Sequence, residues 1–138
     1  MQLERVRVQN YKCLRDVTVE FLKPAGEEDP FSAQLLVGVN GSGKSCFLEA
    51  LGLIFTRIMQ GEVPGFPFVL EYRIQRGQAQ VKVRAAGEDA PSGAKLDVIV
   101  IAGGKTRRLW QVPEEYLPRR IVACSSGANH LMESVLLS

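Results

Sequence analysis

The chain carries two hydrophobic patterns, one with a period of two residues and one with the period of a helix. Apolar and charged residues alternate over residues 3–8 and again over 14–21, which predicts two antiparallel strands joined by a turn at residues 10–13. After Lys44 the apolar residues follow helical spacing as far as Ile58, and Gly61 is a typical helix stop. The first part of the chain is therefore predicted to be a hairpin followed by a helix.

From residue 66 onward the pattern is that of strands. The alternating or β-branched runs are residues 68–74, 79–84, 96–102 and 106–112. Gly103-Gly104 is a hairpin signal between the last two runs, so an antiparallel meander of about four strands is expected. Beyond Pro113, the pattern predicts one helical turn at residues 114–117, a strand at 119–124 and an amphipathic helix at 128–137.

Between the hairpin and the helix, residues 38–45 read G-V-N-G-S-G-K-S, the G-x-x-x-x-G-K-S form of the Walker A phosphate loop. A buried strand should precede this motif, and the apolar run at residues 32–37 fits that requirement. The glycines allow a tight turn whose N–H groups face a polyphosphate, and the helix N-terminus adds its positive dipole. Lys44 is expected to reach the β- and γ-phosphates, and the Ser45 hydroxyl to bind Mg²⁺. The alternative is a plain Gly-rich strand-to-helix turn.

The expected ligands are therefore ATP and Mg²⁺. The nucleotide-binding residues predicted from the motif are Gly38, Asn40, Gly41, Ser42, Gly43, Lys44, Ser45 and Cys46. Cys46 can be interpreted either as a reactive thiol in the first helical turn or as a small buried side chain. Trp110 and Tyr116 have two interpretations as well, an adenine platform or aromatic core packing.

The amino-acid composition indicates the broad class of protein to which the chain belongs. The 138 residues are 46% apolar and 23% charged with a net charge of +2, ordinary values for one globular domain. Three widely spaced cysteines, with no C-x-x-C, predict neither a disulfide framework nor a zinc site, which favours a reducing cytoplasm. The charged N-terminus is not a signal peptide, and no apolar run approaches the length of a membrane span.

The order of elements carries a resemblance to a known group of proteins. The strand ending in Asn10-Tyr11-Lys12, the hairpin at residues 16–21, and G-V-N-G-S-G-K-S followed by F-L-E-A-L at residues 47–51 resemble the opening of the SMC/RecF-type ATPases. That group includes overcoming-lysogenization-defect nucleases and the AAA-labelled ATPases of bacterial restriction and anti-phage systems. The resemblance covers residues 1–60, and residues 119–130 are similar to a strand-Ser-Ser-Gly-x-Asn segment of the defence-associated members.

This resemblance implies an α/β P-loop NTPase fold, similar to the N-terminal lobe of an ABC-ATPase head, with a mixed sheet and an antiparallel β-meander. It implies a head that binds ATP between two subunits, as a homodimer or with a partner subunit, and that couples hydrolysis to DNA handling, repair or anti-phage defence. It also places Lys12 near the phosphates or the adenine, whereas the residue pattern equally allows a solvated lysine in the turn.

The chain departs from that family where hydrolysis is concerned. The family's Walker B strand ends in Asp-Glu, and no apolar run here ends in that pair. Ser125-Ser126-Gly127 could be a signature-like turn that senses the γ-phosphate, or it could cap the last helix. His130, the single histidine, is interpreted as a surface residue. We therefore expect one P-loop domain over residues 1–138, forming the N-terminal fragment of a larger ATPase.

Within that domain, three segments are expected: residues 1–65 with the hairpin, phosphate loop and helix, 66–112 with the meander, and 113–138 with the last strand and helix. The catalytic residues stay unassigned, and ATPase activity is expected within a complete head or dimer. The alternatives are a free-standing P-loop kinase or transferase, and a truncated interaction module without catalytic activity.

Overall fold

The computed structural model describes residues 1–21, 37, 39, 41–74, 78–86 and 95–119. In chain order its elements are β1 (Gln2–Tyr11), β2 (Leu14–Glu20), α1 (Lys44–Met59), β3 (Phe68–Ile74), β4 (Ala79–Ala85), β5 (Leu96–Ala102), β6 (Lys105–Leu109) and a 3₁₀ turn (Glu114–Tyr116). The predicted hairpin, helix, meander and helical turn after Pro113 are confirmed. The strand and helix predicted beyond residue 119 lie outside the described residues, as does nearly all of the strand expected at 32–37.

All six strands belong to one sheet in the order β2-β1-β3-β4-β5-β6, and every neighbouring pair is antiparallel. The hairpin and the meander are joined because β1 pairs with β2 on one side and with β3 on the other. Among the described strands no parallel pair occurs, so the mixed sheet that we expected is not seen in this part of the chain.

One face of the sheet forms the hydrophobic core with α1. The buried residues of α1 are Phe47, Ala50, Ile54, Phe55 and Ile58. They belong to the same cluster as the alternate, fully buried positions of the strands, for example Val6, Leu70 and Val98. This arrangement follows from the two periods in the sequence, since a stripe of apolar helix residues covers the apolar face of a sheet. The helix is thereby held against the sheet, and its N-terminus lies beside the β1–β2 turn.

The opposite face of the sheet carries charged side chains joined in ion pairs across strands. These pairs are Arg7–Asp16, Arg73–Glu4, Lys82–Glu71, Arg84–Asp97 and Arg108–Asp97, with N···O distances of 2.7 to 3.0 Å. Glu4 lies at a bulge in the β1–β3 pairing, where the register shifts between Leu3 and Arg5. Opposite charges on neighbouring strands stabilise the sheet and leave this face with little net charge.

Helix α1 ends in a full Schellman motif. Gly61 has a φ of 71°, its N–H donates to the carbonyl of Ile58, and the N–H of Glu62 donates to that of Arg57. Gly61 is therefore the helix stop that the sequence predicts. Within the described residues, no helix combines the length and apolar content needed to cross a bilayer.

Candidate nucleotide site

The phosphate loop reaches α1 through two glycines in the left-handed region. Gly41 has a φ of 83° and Gly43 a φ of 91°, and Gly43 is the residue that precedes the helix. An L-residue with a side chain adopts such angles only at a cost of about 1–2 kcal/mol. Two of the three motif glycines are thus required by backbone conformation. The first, Gly38, and the intervening Asn40 lie outside the described residues.

The N-terminus of α1 has no side-chain cap. Because Gly43 has no side chain, no side chain caps the helix, and no acidic residue lies in the first turn. The first intrahelical bond of this turn runs from the Phe47 N–H to the Gly43 carbonyl at 2.9 Å. The N–H groups of Ser45 and Cys46 make no such bond one turn back along the helix. Together with the helix dipole, they provide donors and partial positive charge for an anion.

The Lys44 ammonium folds back over the loop. Its Nζ donates to the Val39 carbonyl at 2.6 Å and lies 3.3 Å from the Ser42 hydroxyl. The same carbonyl accepts the Ser42 N–H at 3.2 Å. Lys44 thus carries its charge directly at the turn that would surround a phosphate group, and it would have to exchange these contacts for phosphate oxygens.

A cleft of about 200 Å³ lies at this helix end. Its lining residues are Cys13, Gly41, Gly43, Lys44, Ser45 and Cys46. Ser45 is exposed, so its hydroxyl is accessible to a metal ion. Among the described residues, no three His, Cys, Asp or Glu side chains cluster in a way that could hold a metal. A magnesium ion here would therefore take most of its ligands from the nucleotide and from water, which is its usual preference.

The β1–β2 turn packs directly against the phosphate loop. A Cβ placed on Gly43 would lie 3.0 Å from the Leu14 Cδ2, closer than side chains normally approach, and in van der Waals contact with the Cys13 Sγ at 3.5 Å. Asn10 and Lys12 have positive φ values of 54° and 49° in this turn. Left-handed residues other than glycine are uncommon and tend to cluster at functional sites.

Lys12 is neither at the cleft nor free in solvent. Its ammonium donates to both oxygens of Glu49, in the second turn of α1, at 2.7 and 2.6 Å. The hydrogen bond to Glu49 raises the pKa of Lys12. Burial, followed by the charge and hydrogen bond of Glu49, raises the pKa of Tyr11. Lys12 therefore joins the turn to the helix, and a direct contact with nucleotide would require it to leave Glu49.

Cys13 and Cys46 meet beside the cleft. The hydrogen bond to Cys46 raises the pKa of the Cys13 thiol, while the positive charge of Lys12 acts in the opposite direction. Cys13 is exposed and Cys46 is half-buried. Of the two interpretations of Cys46, neither holds alone, since the residue packs against the core cluster and also reaches the cleft.

Sequence reasoning missed the three residues that support the loop from outside the motif, namely Cys13, Leu14 and Glu49. One signal for Glu49 was present, because it is the only acidic residue in the otherwise largely apolar helix α1. A lone carboxylate on such a helix usually has a partner. No local pattern points to Cys13 or Leu14, whose role depends on how the turn packs on Gly43.

Two carboxylates of the meander, Asp97 and Glu71, lie on the face of the sheet opposite to α1. Asp97 is buried between Arg84 and Arg108 at 2.7 and 2.8 Å. Burial alone would raise the pKa of Asp97, but the hydrogen bonds from the two arginines outweigh it and the pKa is lowered. Glu71 pairs with Lys82 on the same face. Both are therefore structural ion-pair residues, separated from the phosphate loop by the sheet.

Neither Trp110 nor Tyr116 lines the cleft at Lys44, so the structure gives the adenine-platform interpretation no support. Trp110 lines an open groove of about 860 Å³ together with Gln60, Gly61 and Glu62, which follow the helix. A helix of 16 residues is about 24 Å long, which separates this groove from Lys44. The Arg108 guanidinium lies over the Trp110 ring, with its Cζ 5.1 Å from the ring centroid. The Tyr116 backbone carbonyl accepts a hydrogen bond from the Tyr72 hydroxyl. Although larger, this groove lies at the C-terminal end of the helix dipole, which does not favour an anion.

Ser125-Ser126-Gly127 and His130 lie outside the described residues. The family model described as AAA ATPase domain matches residues 1–99, a span that contains the β1–β2 turn, the phosphate loop, α1 and most of the meander. No curated protein matches the chain significantly.

Proposed function

The chain belongs to the AAA ATPase domain family, and we propose that it is the ATP-binding N-terminal lobe of an SMC/RecF-type, ABC-like head. ATP would bind with its phosphates at the N-terminus of α1, surrounded by the residues of the motif. Lys44 would hold the β- and γ-phosphates, and Ser45 would hold Mg²⁺. Lys12 would stabilise the loop by fixing α1 to the β1–β2 turn.

One observation carries the proposal. The helix at the Walker A motif begins without a side-chain cap and without an acidic residue, directly after a left-handed glycine, and its first residue is a lysine. In a purely structural turn a capping Ser, Thr, Asp or Asn would be expected to satisfy the first N–H groups. A helix N-terminus without a side-chain cap, with an ammonium beside it, is the arrangement that a phosphate-binding loop requires.

Hydrolysis by this chain would be slow, because the described part of the cleft holds no carboxylate. Its lining consists of glycines, Lys44, Ser45 and two cysteines. Attack of water on the γ-phosphate needs a group that positions the water and an acidic residue that supports the metal. The phosphate loop supplies binding in the ground state, which does not by itself lower the barrier. A complete head, or a dimer, would supply the remaining groups. A kinase would need a carboxylate that accepts the proton of a substrate hydroxyl. The described lining of the cleft has none, so it gives no support to the kinase alternative.

A role in DNA repair, DNA processing or anti-phage defence rests on the resemblance in the first 60 residues. The outer face of the sheet does not offer a ready DNA surface, since its arginines and lysine are largely neutralised by Asp and Glu partners. Binding of a polyanion depends on unneutralised cations that displace its counterions. We therefore assign any contact with DNA to other parts of the assembly, and place this domain in the cytoplasm as a nucleotide-dependent subunit.

Calorimetry with Mg²⁺-ATP tests the proposal. Lys44→Ala removes a cation that would contact phosphate oxygens, a charge-assisted hydrogen bond worth roughly 1.5–3 kcal/mol, so affinity should fall about ten- to a hundredfold. Lys105→Ala is the matched control, since Lys105 is an exposed lysine at the start of β6. Equal affinity in wild type and Lys44→Ala would overturn the phosphate-loop assignment.

Phosphate release under saturating ATP tests the expectation for hydrolysis. With Lys44→Ala as the blank, wild-type turnover should lie well below about one per second, the lower end of the usual enzyme range. A faster rate would show that a catalytic carboxylate exists in the chain. Asp97→Asn and Glu71→Gln should then leave that rate unchanged, because both side chains lie across the sheet from the loop.

A further inference from the structure

Two thiols from different elements meet at the nucleotide cleft. Cys13 belongs to the β1–β2 turn and Cys46 to the first turn of α1, and both line the same cleft as Lys44 and Ser45. The Cys13 sulfur lies 3.5 Å from the position that a Cβ on Gly43 would take. The interaction with the Cys46 side chain raises the pKa of the Cys13 thiol, as expected for two thiols lining one cleft. Both thiols are free, and Cys13 is exposed to solvent.

We propose that Cys13 and Cys46 are a redox pair, oxidised by peroxide to a reversible disulfide that fastens the β1–β2 turn to the phosphate-loop helix and weakens ATP binding. The effect on ATP binding rests on the proposed function. The disulfide itself follows from the placement of the two sulfurs and can be tested whether or not the chain binds nucleotide.

The chemistry requires one molecule of hydrogen peroxide per bridge. One thiol sulfur attacks a peroxide oxygen, the O–O bond breaks, and the products are a sulfenic acid and one water. The second thiol sulfur then attacks the sulfenic sulfur, its S–O bond breaks, and a second water leaves as the S–S bond forms. The two sulfurs are oxidised and the peroxide is reduced. A dithiol reductant reverses the step by thiol–disulfide exchange at the exposed Cys13 side.

Forming the bridge must displace the first turn of α1 or the β1–β2 turn. Two sulfurs that are not bonded to each other lie more than about 3 Å apart, whereas a disulfide requires about 2.05 Å. Closing that gap moves the two elements toward each other at Gly43, where the Leu14 side chain already leaves no room for a Cβ. The N–H groups of residues 44–46 would then be shifted relative to the loop. Since hydrogen bonds weaken steeply outside 2.7–3.2 Å, the oxidised site should hold phosphate less well.

The experiment uses the full chain in reduced form and after treatment with hydrogen peroxide. Peptide mapping without reductant should recover one cross-linked pair of peptides, the one with Cys13 and the one with Cys46, with a mass two hydrogens below their sum. The affinity for Mg²⁺-ATP should fall about tenfold or more on oxidation, the equivalent of losing one charge-assisted hydrogen bond, and should return after dithiothreitol.

Two variants separate this pair from other thiol chemistry. Cys13→Ser should abolish the bridge, so that its own ATP affinity is the same before and after peroxide. Cys124→Ser, which leaves the pair intact, should respond to peroxide as the wild type does. A bridge to Cys124, a bridge between two chains, or sulfenic and sulfinic acids without any bridge would overturn the proposal.

The two proposals fail in different ways. If the reduced wild type does not bind ATP, the proposed function is wrong, and peptide mapping alone then decides whether the two cysteines form the bridge. If the reduced protein binds ATP and the bridged protein binds it equally well, the regulatory effect is wrong while the ATP-binding function stands.

Discussion

The two ends of α1 differ in how their backbone hydrogen-bonding groups are capped. Every helix leaves backbone groups unsatisfied at its ends. At the C-terminal end, the left-handed Gly61 and the following residue donate their N–H groups back to the last turn, and Arg57 adds a favourable charge. At the N-terminal end, Gly43 is also left-handed, yet no side chain caps the helix. One end is capped by the backbone of the chain itself, and the other has no side-chain cap.

This difference distinguishes a glycine that ends a helix from a glycine that forms part of a binding site. Gly61 faces only the Gln111 side chain, an exposed group that can move. Gly43 faces the buried Leu14 and the Cys13 sulfur, so the β1–β2 turn fits closely against it. A glycine with an unusual backbone angle therefore indicates function when its surroundings leave no space and its helix end has no cap.

The largest effect on stability is expected from replacing the glycine at either end of α1 with alanine. Gly43→Ala should lower the free energy of unfolding by about 2–4 kcal/mol, because the left-handed backbone and overpacking against Leu14 both contribute. Gly61→Ala should cost about 1–2 kcal/mol, mainly for the backbone conformation. Thermal and denaturant unfolding of both variants measures the difference. A Gly61→Ala variant as destabilised as Gly43→Ala would refute the contrast drawn between the two ends.

An intermediate effect is expected from Ser45→Ala at the N-terminal end. If the hydroxyl binds Mg²⁺, losing it should cost about 1 kcal/mol, or roughly fivefold in ATP affinity with excess Mg²⁺, and should change little in EDTA. Titrations with and without the metal measure this directly. Thr106→Val, on the exposed strand β6, is the control. An unchanged Mg²⁺ dependence would remove Ser45 from the metal site.

The smallest effect on stability is expected from breaking the ion pairs near the two ends of α1. Glu49→Gln, which breaks the pair with Lys12, should cost about 0.5–1 kcal/mol, whereas Glu62→Gln, which breaks the exposed pair with Arg57, should cost about 0.2–0.5 kcal/mol. The reason is that the Glu49 side chain is only 12% exposed, against 46% for Glu62. Denaturant unfolding at low and high salt measures both. Equal losses would mean that the Lys12–Glu49 pair does not stabilise the turn at the phosphate loop.

Local sequence determined the elements near the site. The helical spacing after Lys44 and the glycine at residue 61 predicted α1, and the structure places it at Lys44–Met59. Gly103-Gly104 predicted a two-residue hairpin turn, and both residues have positive φ values, 56° and 72°. These predictions succeed because periodicity, helix stops and tight turns depend on neighbouring residues, whose conformational preferences act without help from the rest of the chain.

What the tertiary structure alone decided is which distant residues meet. Pairing of β1 with β3 joins the hairpin to the meander across a gap of more than fifty residues. It also turns Glu71 away from the loop, although this residue follows the apolar run at residues 68–70. The same packing brings Cys13 to Cys46 and Lys12 to Glu49. No local preference selects such contacts, because a strand with one apolar face can pair with several others, and the choice depends on how all of them cover one core.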